Sequence, residues 1–134
     1  PNRGRILTHM KLRIRGNSIR LRLTQGEVQT LAEKGRVEDA IAFAPGSRLV
    51  YALATSDSRD ALAARLDGAR VEVTLPSALA KDWAASTRVG IQGEQPIGEG
   101  EPLRILVEKD FACLHPRKGE DDRDAFANPN DSCD

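Results

Sequence analysis

Four arginines at alternate positions of two neighbouring segments are the residues of this chain whose types and spacing most clearly suggest chemistry. Residues 11–15 and 19–23 each alternate polar with apolar side chains, which is the period of a half-buried β-strand. Gly16 and Asn17 lie between them and favour a tight hairpin. Pairing these strands places four guanidinium groups together on the non-core face: Arg13, Arg15, Arg20 and Arg22. Guanidinium groups bind oxyanions bidentately, so this face is a candidate site for an anionic ligand or a partner protein.

Three other interpretations of these arginines stay open. The arginines could pair with Glu72, Glu94 and Glu108 on neighbouring strands, or simply form a solvated face. A two-stranded β-ribbon can also read DNA in the major groove. DNA binding through the same hairpin is therefore the second functional hypothesis.

Metal binding near the end of the sequence is the third hypothesis. Cys113, His115 and Cys133 supply three side chains that ligate transition metals, and Asp131 or Asp134 could supply a fourth. The spacing is not a zinc signature, because one Cys-x-His pair has no second close pair. A free thiol beside a surface imidazole, or one disulfide between the two cysteines, explains the same residues.

Catalytic motifs are not recognisable. His9 and His115 are the two histidines of the chain, and no serine or cysteine stands in a nucleophile-elbow or triad context. The glycines do not have the spacing of a phosphate-binding loop. A non-catalytic binding protein is favoured over an enzyme, with no cofactor other than the metal considered above.

Composition and charge describe one small domain. The chain has 134 residues, of which 20 are basic and 20 acidic, so net charge indicates neither a nucleic-acid binder nor a membrane-surface protein. No apolar run approaches the roughly 20 residues of a membrane span, and no signal peptide is visible, which favours a cytoplasmic protein. We expect a disordered or cloning-derived leader over 1–9, with a native basic arm as the alternative. A single α+β domain is expected over 10–112, and a polar acidic tail over 113–134.

The remaining elements follow from the same patterns. Thr24 and Glu27 form a capping box that predicts a helix ending at Gly35. The fold class is α+β: a curled, mostly antiparallel sheet with two or three short helices. Beyond the first hairpin and this helix, we predict strands over 37–43, 48–53, 70–75, 88–92 and 103–109, helices over 57–66 and after Pro76, and a surface loop over 93–102.

An offset of 52 positions superimposes one half of the sequence on the other. It places Ile19–Thr24 on Val71–Pro76 and Arg36-Val37 on Arg88-Val89. The pattern predicts an internal strand-helix-strand-strand duplication with repeats over 19–54 and 71–108. Such a chain could complete its own pseudo-twofold axis as a monomer or exchange hairpins in a homodimer.

Two family resemblances accompany these patterns. The strand ending in Leu75-Pro76-Ser77, followed by a short helix and a hairpin, resembles the swapped-hairpin units of AbrB- and MraZ-type bacterial DNA-binding proteins, which implies DNA binding. A closer resemblance involves the segments Lys11–Leu23, Tyr51–Leu53, Leu106–Phe111 with Cys113, and Asn128-Pro129. These segments resemble a small bacterial family of unknown function. The resemblance implies a start at Met10 and a domain of this size, but no activity.

Overall fold

The computed structural model describes residues 10–58 and 60–111, and the elements below lie within those ranges. Eight strands and two helices follow one another in two similar halves. The first half contains β1 (Lys11–Arg15), β2 (Ser18–Leu23), α1 (Gln25–Lys34), β3 (Arg36–Ala44) and β4 (Ser47–Ser56). The second half contains β5 (Ala63–Asp67), β6 (Arg70–Pro76), α2 (Ser77–Ala85), β7 (Gly90–Gln95) and β8 (Leu103–Lys109).

The strands form two four-stranded mixed sheets, with orders β1-β2-β8-β7 and β3-β4-β6-β5. Each sheet contains two antiparallel hairpins joined by a parallel pairing, β2 with β8 in one and β4 with β6 in the other. Each sheet therefore takes one hairpin from each half of the chain. The α+β class and the predominance of antiparallel pairing are confirmed, but the expected single curled sheet is two sheets.

The two halves match at the level of individual strands. Adding 52 to the bounds of β1 gives the bounds of β5, and exchanging β1–β4 with β5–β8 converts one sheet order into the other. Gly16 and Gly68, 52 residues apart, have φ angles of 56° and 59°. Glycine adopts this positive φ without strain, as the first central residue of a type II′ hairpin turn requires. The predicted duplication would produce this arrangement.

The core lies between the sheets and under the helices, and it is mainly aliphatic. Alternate residues of the central strands point inward, such as Leu21, Leu53 and Val107, each 1% exposed or less. Trp83 of α2 is the largest fully buried side chain among the described residues, and its indole N–H donates to the Val89 carbonyl at 3.2 Å. That bond removes the desolvation cost of burying the indole N–H.

The capping-box prediction for α1 is confirmed. Thr24 Oγ1 accepts from the Glu27 amide at 3.3 Å, and Glu27 Oε1 accepts from the Thr24 amide at 2.9 Å. Gly35 ends the helix at φ 80°, and its amide donates to the Leu31 carbonyl. The two helices pack against each other, so the described chain has two of the two or three helices expected.

Three element predictions need correction. The helix expected over 57–66 is wrong: β5 occupies residues 63–67 and pairs antiparallel with β6. The small residues before Leu66 fit a helix on local pattern, but pairing to β6 decides the conformation. The strand expected over 88–92 is β7, Gly90–Gln95. The loop expected over 93–102 therefore begins after Gln95, because Gly93–Gln95 pair with β8.

Candidate anion-binding face

The strand register brings the four predicted arginines onto one face of the β1/β2 hairpin. Arg13 lies directly opposite Arg20, and Lys11 lies opposite Arg22. Residues directly opposite in an antiparallel pair project to the same side of the sheet. Leu12 and Ile14 alternate with these residues and project to the other side. We call this set of outward side chains the basic face: Lys11, Arg13, Arg15, Arg20 and Arg22.

Two of the arginines share one carboxylate from the neighbouring strand. Glu108 of β8 lies next to Arg22 in the parallel register. Its Oε1 is 3.4 Å from Arg22 Nε and 3.6 Å from Arg20 Nε. All three side chains are about one-fifth to one-quarter exposed. The interpretation that acidic neighbours pair with the arginines therefore holds for this part of the face.

The positive charges of the outer part of the basic face are paired with fewer carboxylates. Arg13 and Arg15 are exposed, and neither guanidinium forms an ion pair or hydrogen bond with another residue in the described ranges. Lys11 Nζ is 3.1 Å from Asp110 Oδ2, but its side chain is 55% exposed. Glu72 and Glu94, considered as partners from the sequence, bind Arg36 and Arg104 instead. These exposed cations are thus available to a ligand in solution.

The equivalent hairpin of the second half provides an internal comparison. There Arg65 lies opposite Glu72, and Asp67 lies opposite Arg70. We call the outward side chains of this hairpin the balanced face, which carries two basic and two acidic residues. The basic face, on the same backbone pattern, carries five basic residues and no acidic one. Cross-strand pairs of opposite charge stabilise a sheet and like-charged pairs destabilise it. The charges of the β1/β2 hairpin therefore destabilise it in the free protein.

The balanced face also belongs to an ion-pair network on the second sheet. Glu38 Oε1 is 2.9 Å from both Arg36 and Arg70, and Arg36 is 3.2 Å from Glu72. The hydrogen bond from Arg36 is the main reason that the pKa of Glu38 is lowered. Charge on this sheet is therefore largely neutralised within the protein.

Two buried ionisable groups lie away from the basic face. Burial lowers the pKa of Lys109, whose Nζ donates to the Ser86 carbonyl at 2.7 Å and lies 5.7 Å from the Trp83 ring centroid. Burial raises the pKa of Tyr51 to about 12, and its hydroxyl donates to the Met10 carbonyl at 2.8 Å. Both groups connect segments that are distant in the sequence, and these structural hydrogen bonds explain why they are buried.

Two concave regions accompany these faces. A groove of about 320 Å³ runs between the two sheets, where Ile14 and the equivalent Leu66 form part of the lining. Their side chains are 65% and 70% exposed. A second cleft of about 440 Å³ lies between the helices and is lined by small and polar residues such as Ala32, Lys81 and Ala84. Neither concavity brings together a nucleophile and a base.

The predicted metal ligands Cys113, His115 and Cys133 lie outside the described residues, so that hypothesis stays a prediction. Within 10–58 and 60–111, no group of three His, Cys, Asp or Glu side chains is arranged to hold a metal ion. No helix in these ranges is long and apolar enough to cross a membrane.

Sequence reasoning on the binding site omitted Lys11, and it named Glu108 only as one of three possible acidic partners of the arginines. The period-two alternation that selected the arginines extends back to Lys11 and would have included it. Glu108 is adjacent to the arginines only because β2 pairs in parallel with β8, which brings together residues 86 positions apart. No local pattern signals that pairing.

Comparison with known proteins agrees with the closer of the two resemblances. The chain matches the DUF7009 family, described as a family of unknown function, over residues 10–130. Since the match covers most of the sequence, the chain belongs to this family. No curated protein matches the chain, and no solved structure does.

Proposed function

We propose that this protein is a non-catalytic binding domain whose basic face recognises an acidic segment of a partner protein. The observation that carries the proposal is the contrast between the two equivalent hairpins. The balanced face pairs Arg65 with Glu72, whereas the basic face sets Arg13 against Arg20. A like-charged pair costs stability in the free protein, and an anionic partner would offset that cost on binding.

The distribution of positive charge supports an extended, narrow ligand. The exposed cations Lys11, Arg13 and Arg15 lie along β1, an edge strand of its sheet. Arg20 and Arg22 on the next strand lie close to Glu108, whose negative charge offsets part of their positive potential. A strip of cations about one strand wide fits carboxylates along a peptide chain.

Duplex DNA fits this face less well. A β-ribbon that enters the major groove must project from its sheet, whereas β2 is covered along its second edge by β8. The same sheet also presents Glu94 and Glu108 outward, next to Arg104 and Arg22. These carboxylates would approach DNA phosphates, which favours an acidic protein segment over DNA.

The test is a titration of the full chain with a fluorescent decaglutamate peptide and, separately, with a 20-base-pair duplex, at increasing salt. The peptide should bind more tightly than the duplex, with affinity falling as salt screens exposed charges. The double variant Arg13→Gln/Arg15→Gln should bind the peptide about fivefold to tenfold more weakly, at roughly 0.5 kcal/mol or more for each exposed contact.

A matched variant controls for loss of charge alone. Arg48 and Arg65 are also exposed arginines, so Arg48→Gln/Arg65→Gln removes the same charge elsewhere and should leave peptide affinity within about twofold. If both double variants lost the same peptide affinity, the effect would depend on net charge alone, and the assignment of binding to the basic face would be overturned. Tighter duplex binding with a steep salt dependence would replace the proposal with DNA recognition.

A further inference from the structure

The outer edge of β1 is open, whereas the equivalent edge of β5 is sealed by a side chain. Gln95 of β7 accepts from the Ala64 amide at 2.8 Å and donates to the Ala64 carbonyl at 3.0 Å. The side-chain amide thereby occupies the position of a neighbouring strand. At the offset of 52, Leu12 corresponds to Ala64, and Phe43 corresponds to Gln95. Phenylalanine has no hydrogen-bonding group with which to seal an edge.

The register identifies which backbone groups face outward. Arg15 and Ser18 flank the two-residue turn, and the pair next to such a turn is hydrogen-bonded, as is every second pair after it. Leu12 and Ile14 are in the alternate, non-hydrogen-bonded pairs, so their amide and carbonyl groups point away from β2. In the described part of the chain no hydrogen bond reaches these four groups. An edge of this kind is a template for strand addition.

From this geometry we infer that the partner adds an extended strand to the edge of β1, and that acidic and apolar residues alternate along that strand. The inference rests on the proposed function and specifies the partner's chemistry. Side chains of an added strand alternate between the two faces of the sheet. One set would lie beside Lys11, Arg13 and Arg15, and the other beside Leu12 and Ile14. Ile14, at 65% exposed, gains burial in this arrangement.

Other occupants of the edge fit less well. A second copy of the chain pairing β1 with β1 would bring two basic faces together, which like-charge repulsion opposes. The acidic segment Glu120–Asp124 of the same chain reads Glu-Asp-Asp-Arg-Asp and lacks the alternating apolar residues. The charge and apolar pattern of β1 therefore favours a segment of a different protein.

The test uses the alternating peptide Glu-Val-Glu-Val-Glu-Val-Glu and two N-methylated forms, titrated into the full chain by calorimetry. In an antiparallel addition, the valines present their N–H groups to β1; in a parallel addition, the glutamates do. Methylation of one set should weaken binding at least about tenfold, while methylation of the other leaves it within about twofold. Amide hydrogen exchange of Leu12 and Ile14 should slow when the unmethylated peptide binds.

A composition-matched peptide, with four glutamates followed by three valines, is the control for pattern and should bind more weakly than the alternating form. Equal affinity of the two N-methylated peptides, or unchanged exchange at Leu12 and Ile14, would overturn strand addition. The decaglutamate titration separates this failure from that of the proposed function. If Arg13→Gln/Arg15→Gln still weakens decaglutamate binding, the basic face remains a binding site without strand addition.

Discussion

Replacing Arg13 by glutamate should stabilise the protein while weakening its binding of an acidic partner. Arg13 is exposed and faces Arg20, so Arg13→Glu converts a like-charged cross-strand pair into the complementary arrangement that Arg65 and Glu72 already have. Loss of a repulsion and gain of an attraction are each worth a few tenths of a kcal/mol, giving about 0.5–1 kcal/mol in total. For a domain of this size that corresponds to a rise of roughly 2–6 °C in Tm.

The assay is thermal and urea denaturation at 50 mM salt, with Arg65→Glu as the mirror-image control. That control places two glutamates opposite each other at positions 65 and 72 and should lower the Tm by a similar amount. Both effects should shrink at 1 M salt, where the Debye length is about 3 Å. A fall in stability for Arg13→Glu, or the same sign of change in both variants, would refute the argument that the basic face is electrostatically unfavourable.

Three further predictions concern the framework that holds this face. Trp83→Phe should lower the free energy of unfolding in urea by about 1–3 kcal/mol, because the smaller ring leaves part of the fully buried Trp83 site unfilled and the hydrogen bond to the Val89 carbonyl is lost; an unchanged value would contradict this. Gly35→Ala should cost more than about 1 kcal/mol, since φ is +80° and the added Cβ would lie 3.0 Å from Thr55 Oγ1; equal stability of variant and wild type would contradict this. Burial raises the pKa of Tyr51 to about 12 in the folded protein, whereas its pKa should be about 10 in urea. The contribution of Tyr51 to the free energy of unfolding should therefore be fully present below about pH 10 and be lost as the pH rises towards about 12. Tyr51 is the chain's single tyrosine, so tyrosinate absorbance reports it, and a folded midpoint near 10 would exclude the burial effect.

Sequence patterns that span only a few residues predicted the local structure well. The alternation in residues 11–15, the capping box at Thr24 and the strand 103–109 all appear where the sequence indicated. In each case the local pattern and the tertiary environment favour the same conformation. The arginines of the basic face were predictable for this reason, because a period of two determines which side of a hairpin a residue occupies.

Features that depend on distant pairing were not predictable. Residues 57–66 contain small side chains that suit a helix, but residues 63–67 form a strand because they pair with β6. Extending the 52-residue offset back to β1 would have indicated this strand. The separation into two sheets requires the parallel β2–β8 pairing. The same pairing selects Glu108 as the partner of Arg22 from the three acidic residues that the sequence offered. The open edge of β1 emerged only from the hydrogen bonds of Gln95 to Ala64, which a phenylalanine at the corresponding position 43 cannot form.

Mapping the decaglutamate-binding surface by amide chemical shifts in the full chain tests the central claim most directly. Binding to the basic face should shift amides of β1 and β2, with the largest changes around Arg13 and Arg15. The equivalent amides of β5 and β6 are the internal reference and should change little, because their cross-strand charges are complementary. Shifts centred on β5 and β6 or on the cleft between the helices would contradict the account, as would equal shifts in both hairpins.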